Sequence, residues 1–149
     1  GWDAACHRVV TWVRLKEKGL FGSEFYFFNT HFDHIGQVAR RESAKLLVSK
    51  VEEMVQEDVP VVITGDFNTN VEDLAMAPVV LSFKDARKVS PVTDSEGTFN
   101  NWGRNEKVTI IDHIFFKNLT PLKFRTVKEN YGAPYISDHY PVVFEGQFE

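Results

Sequence analysis

Four short clusters of polar and ionisable residues stand where apolar segments of the chain begin or end. Their side chains are carboxylates, imidazoles, amides and hydroxyls, and burying such groups costs free energy unless they have partners. If several clusters meet at one edge of a sheet, they form a polar pocket on an apolar scaffold. The clusters are Asn29-Thr30-His31, Gly65-Asp66-Phe67-Asn68, Ile111-Asp112-His113-Ile114-Phe115 and Ser137-Asp138-His139-Tyr140-Pro141-Val142.

These residue types suit the hydrolysis of a phosphate ester. That reaction needs a water molecule in line with the leaving group, and it needs shielding of the charge on the phosphate oxygens. Aspartate oxygens are hard ligands that suit Mg²⁺ or Mn²⁺. A histidine with a carboxylate partner can transfer protons near pH 7. No spacing of Cys and His residues in the sequence favours structural zinc.

Each cluster by itself has an ordinary structural explanation. An Asp-X-Asn segment after a strand, such as Asp66 to Asn68, is usually a simple turn. Asp112 could be a salt-bridge partner in an edge strand, and Asp138-His139 could be a helix cap or a surface pair. The order of the whole set on successive strand ends is what favours a single site.

As a set, the segments GDFN, IDHIFF and SDHYPV, preceded by NTHFDH, resemble the motifs of the endonuclease/exonuclease/phosphatase superfamily. The resemblance extends from Trp2 to Phe144. Members of that superfamily include pancreatic-type deoxyribonucleases, abasic-site endonucleases, neutral sphingomyelinases, inositol-polyphosphate phosphatases and deadenylases. The motifs are specific to the superfamily, and they do not choose a substrate.

The resemblance implies a proton-handling pair. His139 matches the histidine beside the scissile phosphate, which acts as a general base or as a phosphate ligand. Asp112 matches the carboxylate that hydrogen-bonds and orients that histidine. A base held by a second group in this way is also seen in other hydrolases.

The resemblance also implies roles for four residues that hold the metal or the phosphate. Asp138 matches a carboxylate that helps to bind a divalent ion, Mg²⁺ or Mn²⁺. Asp66 matches the aspartate that positions the attacking water or a second metal. Asn68 matches an amide that donates to a phosphate oxygen, and His31 matches a second histidine on the phosphate.

The segments between the clusters must supply the strands and helices that position them. β-Branched and aromatic residues at 9–13 and 25–28 predict two strands, and the charged segment 16–23 predicts a hairpin turn between them. From 35 to 56 the apolar residues recur at helical spacing, which predicts an amphipathic helix. The short apolar run 61–64 is typical of a central strand that is covered on both faces.

Less regular structure is predicted for the second half of the chain. Asn70 could cap a short helix. This helix should end before Pro78, because proline lacks the N–H that continues the helical hydrogen bonds. Apolar residues at 108–116 and 140–144 predict two further strands.

The segment 82–107 is rich in Gly, Asn and Ser, which is typical of a surface loop. With Trp102 and Arg104, it is either a substrate-specificity element or a plain connector. His113 alternates with Asp112 along the predicted strand, so its side chain should face away from the site, in the core or behind the catalytic groups.

Two segments near His31 have weaker functional interpretations. Asp33 and His34 could line the pocket, although a surface loop explains them better. Arg40 lies early in the predicted helix, where it could approach the site or equally well face solvent.

The predicted fold class is α/β (α+β), with a mostly antiparallel mixed sheet and flanking helices. The resemblance implies two β-sheets packed face to face with helices outside, in domains longer than this chain. Residues 1–149 would then be one domain unit, the C-terminal part of a longer domain, and half of a four-layer β-sandwich. Either the chain is an excised piece of a longer enzyme, which we favour, or it is a natural half-domain.

In the related domains, the first half contributes an Asn and a metal-binding Glu, and neither motif occurs here. We therefore expect the chain alone to bind Mg²⁺ weakly and to hydrolyse little.

The inner sheet face would be apolar and uncovered. We expect it to form a homodimer through that face, to aggregate, or to pair with an N-terminal half.

Composition limits the function without choosing the substrate. The net charge is −4, with 17 Lys+Arg against 21 Asp+Glu, which leans against tight nucleic-acid binding without a metal. Cys6 is the single cysteine, so no internal disulfide can form, and the compartment stays open. No apolar run is long enough to span a membrane.

The predicted function is a divalent-metal-dependent phosphoesterase acting on a phosphodiester or a phosphomonoester. Its substrate would be a lipid, a sugar or inositol phosphate, or a nucleic acid, so an endonuclease is one alternative. Another alternative is a non-catalytic binding module or an inactive fragment of the same fold. That alternative is weakened because a decayed site should have lost some of the six matched residues.

Overall fold

The computed structural model describes residues 1–19 and 22–148. The predicted turn at 16–23 includes Leu20 and Phe21, which lie outside the described residues. In the described part the α-helices are α1 (Gln37–Met54), α2 (Ala77–Ser82) and α3 (Ala86–Val89), and Leu74–Met76 and Asn101–Gly103 are 3-10 helices. The strands are β1 (Val10–Lys16), β2 (Glu24–His31), β3 (Val61–Asp66), β4 (Lys84–Asp85), β5 (Asp112–Lys117), β6 (Thr120–Thr126) and β7 (Val142–Gln147).

Five of these strands form a mixed sheet in the order β1-β2-β3-β5-β4. β1 and β2 are an antiparallel hairpin, as predicted. β2 and β3 are parallel, with α1 as the crossover between them. β5 is antiparallel to β3, and β6 and β7 form a separate antiparallel pair. The mostly antiparallel sheet with flanking helices confirms the predicted α/β (α+β) class.

Helix α1 follows the apolar stripe that the sequence predicted. Its buried residues include Ala44, Leu47 and Val51, which pack with β2 and β3. A side chain from outside the helix supplies its N-terminal partners, because the Asp3 carboxylate accepts hydrogen bonds from the N–H groups of Val38 and Ala39. This contact satisfies donors that the first helical turn cannot pair internally.

Around Pro78 the structure differs from the sequence-based expectation. Asn70 accepts a hydrogen bond from the Glu72 N–H, but the cap of the 3-10 helix is Asp73, which accepts from the Ala75 N–H. The 3-10 helix ends at Met76, before Pro78 as predicted, but a second helix, α2, begins at Ala77 and has Pro78 in its first turn. This second helix was not predicted. Proline is compatible with it because a first-turn residue has no use for the N–H that proline lacks.

The main core lies between the sheet and helices α1 and α2, and it contains Phe28, Ile63 and Phe115. A smaller core lies on the opposite face, where β6 and β7 cover Phe116 of β5. Val62 of β3 packs against this second core. β3 is therefore fully covered on one face and partly covered on the other.

Strand β1 is the exposed edge of the sheet. Trp12 and Val13, whose side chains lie on opposite faces, are 48% and 44% exposed, and Leu15 is 43% exposed. A cavity of about 350 Å³ separates Trp12 from Leu46 of α1. On the face opposite α1, Val13 and Leu15 are exposed, whereas Ile114 and Phe116 of β5 are buried in the second core. The expected uncovered apolar face is therefore limited to the edge of the sheet at β1, and the assembly that would cover it stays a prediction.

Among the helices of the described residues, none is both long enough and apolar enough to cross a membrane.

Candidate active site

Three predicted site residues lie side by side across the sheet. His31 is paired with Asp66 between the parallel strands β2 and β3, and Asp66 is paired with Asp112 between β3 and β5. The carboxyl ends of parallel strands meet at one sheet edge, and the antiparallel strand β5 begins at that edge. His139 is added by the segment before β7, where it pairs with Phe99.

His139 forms a hydrogen-bonded pair with Asp112. The Nδ1 atom of His139 lies 2.7 Å from Oδ2 of Asp112. Because a carboxylate oxygen accepts, we assign the hydrogen to Nδ1, which leaves Nε2 directed to the rest of the site. That Nε2 atom lies 3.8 Å from Oδ2 of Asp66.

Asp66 is the centre of the arrangement. Its Oδ2 atom also lies 3.2 Å from Nε2 of His31, and its Oδ1 atom accepts from the Asn68 N–H at 2.8 Å. Burial of the carboxyl raises its pKa, and the neighbouring charge of Asp112 raises it further, against the opposing effect of the Asn68 N–H.

The chemistry of the donor set fits a small divalent cation. Ligand atoms of Asp66, Asp112 and His139 lie within 4.8 Å of one another. Carboxylate oxygens are the donors that Mg²⁺ and Mn²⁺ prefer. A positive ion would also offset the repulsion between the neighbouring carboxylates of Asp66 and Asp112, which adds to the effect of burial in raising the pKa of Asp66.

Asn68 has a backbone conformation that few residues adopt. Its φ is +51°, in the left-handed region that asparagine tolerates better than most residues. Its side-chain amide nitrogen donates to the Phe32 carbonyl at 2.9 Å. Because the amide carries two hydrogens, one is left to donate to a ligand.

Asp138 is placed differently from the other predicted residues. Its carboxylate lies 3.4 Å from the Ser137 hydroxyl, and its main-chain oxygen accepts from the N–H groups of Asn100 and Asn101. In the part of the chain that the structure describes, it is not in the group of ligand atoms within 4.8 Å of one another. Its role as a metal ligand stays a prediction.

The segment from Thr98 to Asn100 supports the site, and sequence reasoning missed it. The Thr98 hydroxyl accepts from the Asp112 N–H at 3.1 Å, and the Thr98 carbonyl accepts from the Tyr140 N–H. The Phe99 ring lies 4.9 Å from the His139 ring. The one sequence signal for this segment is the adjacent Gly97 and Thr98 inside the predicted loop.

The prediction of an irregular loop at 82–107 was partly wrong, because the segment contains β4, α3 and the 3-10 helix Asn101–Gly103. Asn100 is buried, and its amide nitrogen donates to the Ser137 carbonyl at 3.2 Å. Trp102 is half exposed, with a φ of +57°. The specificity role suggested for Trp102 and Arg104 stays a prediction.

Asp33 was expected on the surface and is instead buried, with 1% of its area exposed. It accepts hydrogen bonds from the N–H groups of Cys6, Ile35 and Gly36. These bonds, the one from Gly36 first, lower the pKa of Asp33 well below its ordinary value. Asp33 holds the N-terminal segment against the start of α1.

His34 is exposed as expected, and two arginine side chains contact its segment of the chain. The Arg8 guanidinium lies 3.2 Å from Nδ1 of His34 and 3.8 Å from the Asp33 carboxylate. Arg40 donates to the Asp33 carbonyl at 2.9 Å. The Arg40 side chain therefore binds this segment instead of extending into solvent.

The chain is similar in sequence and in structure to known proteins. A sequence model of the Endonuclease/Exonuclease/phosphatase family matches residues 2–139. An endonuclease/exonuclease/phosphatase from Bacteroides vulgatus is 36% identical, with a TM-score of 0.90 over 100% of this chain and 59% of that chain. A mannosyl-6-phosphatase from Bacteroides thetaiotaomicron is 33% identical, with a TM-score of 0.88 over 99% of this chain and 60% of that chain.

A viral relative is more distant. An uncharacterized protein of Acanthamoeba polyphaga mimivirus is 25% identical over 159 residues, covering 96% of this chain and 58% of that protein. The chain thus spans 58–60% of the length of these three relatives.

Proposed function

The chain belongs to the endonuclease/exonuclease/phosphatase family, whose members are hydrolases of phosphate esters, and we propose that it carries the catalytic residues of a divalent-metal-dependent phosphoesterase. The observation that carries this proposal is the 2.7 Å bond between His139 and Asp112. It leaves the free ring nitrogen of His139 directed to Asp66, in a group of ligand atoms suited to a cation.

We assign the proton step to His139. Its Nε2 atom takes a proton from the attacking water while the oxygen of that water forms a bond to phosphorus. The bond from phosphorus to the ester oxygen breaks, and that oxygen takes a proton from solvent as the alcohol leaves. Asp112 accepts from Nδ1–H and stabilises the imidazolium that forms.

Asp66, Asn68 and His31 complete the site. The Asp66 carboxylate accepts a hydrogen bond from the attacking water and orients it. The free amide hydrogen of Asn68 donates to a phosphate oxygen, and His31 contacts the phosphate through Nε2. These donors offset the negative charge that the phosphate oxygens carry in the transition state.

A bound Mg²⁺ or Mn²⁺ ion would supply charge neutralisation at the phosphate oxygens. Asp66 and Asp138 are the residues that we propose to hold it. Asp66 belongs to the group of candidate ligand atoms, and Asp138 is proposed because its motif resembles the metal-binding motif of the family. The raised pKa of Asp66 supports this assignment, since a carboxyl that is short of donors gains most from a cation.

For the substrate, we propose a sugar phosphate monoester as the first class to test. The support is the relative from Bacteroides thetaiotaomicron, described as a mannosyl-6-phosphatase and 33% identical over 99% of this chain. The net charge of −4 agrees with a small substrate more than with a nucleic acid, for which a basic surface is usual. An endonuclease activity is the second candidate, supported by the family alone.

The test is a set of four enzymes, made in the full-length protein: the wild type, His139→Ala, Asp112→Asn and the double variant. A positioned acid–base group contributes about 10²–10⁴ in rate, so His139→Ala should lose at least that order of turnover and still fold. Asp112→Asn should lose less. The double variant should lose far less than the product of the single losses, because the two residues act as one unit.

The substrates for this test are a sugar phosphate, a generic phosphodiester and a DNA duplex, all at saturating Mg²⁺. Near-normal turnover of His139→Ala on each substrate would contradict the mechanism. Multiplicative losses would contradict the pairing with Asp112. A folded wild-type protein that hydrolyses none of the substrates would favour the non-catalytic binding module.

A further inference from the structure

Strand β5 begins with two residues whose side chains lie on opposite faces of the sheet. Asp112 lies on the face of the site, where it binds His139. His113 lies on the opposite face, 2% exposed, with its ring near those of Phe67 and Phe115. An imidazole buried among aromatic rings is costly unless its N–H has a partner.

The partner of His113 is a main-chain oxygen in the loop that carries Asn68. The Nε2 atom of His113 lies 2.8 Å from the carbonyl oxygen of Thr69. A carbonyl oxygen only accepts, so Nε2 carries the hydrogen and donates it. His113 therefore connects β5 to the residue that follows Asn68.

This connection matters because Asn68 has a φ of +51°, a left-handed conformation that asparagine tolerates and most residues avoid. Several contacts of the loop stabilise this conformation. One contact is the bond from the Asn68 amide to the Phe32 carbonyl. Another is the bond from the Thr69 hydroxyl to the Asp73 carboxylate. The bond from His113 is made by the strand that also carries Asp112, so it fixes Asn68 relative to the His139 pair.

We propose that His113 is a positioning residue that holds the Thr69 carbonyl and thereby keeps the Asn68 amide directed at the phosphate. The inference rests on the proposed function, because phosphate binding by Asn68 is part of that proposal. β5 would then serve the site from both faces, through Asp112 on one side and through His113 on the other.

Three substitutions separate the hydrogen bond from the volume of the ring. His113→Phe keeps a flat ring and removes the donor. His113→Gln places an amide N–H near the position of Nε2, and His113→Asn is the matched control whose amide is too short to reach. A displacement of about 1 Å at a catalytic group can cost about 100-fold in rate. We therefore expect kcat to fall about 10–100-fold in His113→Phe and His113→Asn, and to recover in His113→Gln.

A double-variant cycle in the full-length protein tests whether His113 acts through Asn68. If it does, His113→Phe should lower kcat by less than about threefold when Asn68→Ala is already present. A role in stability alone would lower kcat by the same factor in both backgrounds, and that outcome would overturn the proposal. Equal losses in the Gln and Asn variants would overturn it as well.

Amide hydrogen exchange gives a measurement that does not depend on activity. The Asn68 N–H, which is bound to Asp66, should exchange faster in His113→Phe and His113→Asn than in the wild type and His113→Gln. Unchanged exchange would contradict the proposal even in an active enzyme. If the wild-type protein hydrolyses no phosphate ester but exchange changes as expected, then the proposed function fails and the positioning contact stands.

Discussion

Two aspartates, the buried Asp33 and the partly buried Asp66, lie at the same edge of the sheet, and their surroundings are opposite. Asp33, in the loop after β2, accepts three backbone N–H groups, and these bonds lower its pKa. Asp66, at the end of β3, accepts one backbone N–H and lies near Asp112, and burial together with that second carboxylate raises its pKa. A buried carboxylate that has enough donors stabilises the fold, whereas one with too few can bind a cation or orient a water.

The largest expected effect that would sharpen this comparison is on turnover. Asp66→Asn in the full-length protein should lower kcat by about 10²–10⁴, because the amide neither binds a cation well nor orients water as a carboxylate does. Asp33→Asn is the matched control, made at the same sheet edge with the same change in charge. It should keep kcat within about tenfold, measured at a temperature where both variants are folded. Equal losses in the two variants would remove the functional distinction between the aspartates.

A second expected difference concerns stability and its dependence on pH. At neutral pH, Asp33→Asn should lower the melting temperature by several degrees, because the Cys6 N–H loses its acceptor. Asp66→Asn should leave the melting temperature unchanged or raise it. The substitution removes a carboxylate whose ionised form is disfavoured by burial and by the neighbouring Asp112. Thermal unfolding at several pH values would measure both.

The signs at low pH follow from the direction of each pKa shift. The pKa of Asp33 is lowered by folding, so its stabilisation is present above its ordinary value of 3.8 and is lost as the pH falls through the folded value. The pKa of Asp66 is raised, so the wild type gains relative to Asp66→Asn as the pH falls through the folded value towards 3.8. The two variants should therefore approach the wild type at acid pH from opposite sides. Curves that stay parallel to the wild type would contradict both assignments.

The smallest expected effect is the response to Mg²⁺. An ion that binds only the folded protein, at tenfold above its dissociation constant, adds about 1.4 kcal/mol of stability. Wild type and Asp33→Asn should both show this rise in melting temperature at millimolar Mg²⁺, and Asp66→Asn should not. An equal rise in all three proteins would place the ion elsewhere.

Much of the site could be predicted from the sequence because it depends on short-range patterns. Polar residues at strand ends drew attention to His31, Asp66 and Asp112, and the structure adds that the antiparallel pairing of β3 with β5 places Asp112 beside Asp66. His139 followed from its motif. The alternation of side chains along a strand was enough to place His113 in the core.

The missed features depend on tertiary contacts that no local pattern encodes. Asp33 is buried because the distant Cys6 segment crosses it, and Thr98 supports Asp112 across 14 positions of sequence. The error about the helix cap had a different cause. Asn70 and Asp73 each accept a hydrogen bond from the N–H two residues further on, and only the structure shows that the 3-10 helix begins after Asp73.

The pairing of Asp112 with His139 also bears on how the chain folds. β1, β2, α1 and β3 follow one another along the chain and include His31 and Asp66. His139, the proposed general base, joins them only when the segment before β7 closes a long loop back onto β5, and closing long loops costs chain entropy before any contact repays it. A partly folded chain can therefore possess the helix and most of the sheet and still lack the pair formed by His139 and Asp112. The helix content measured by spectroscopy comes mainly from α1, in the first half of the chain. Hydrolysis would report on the completed fold.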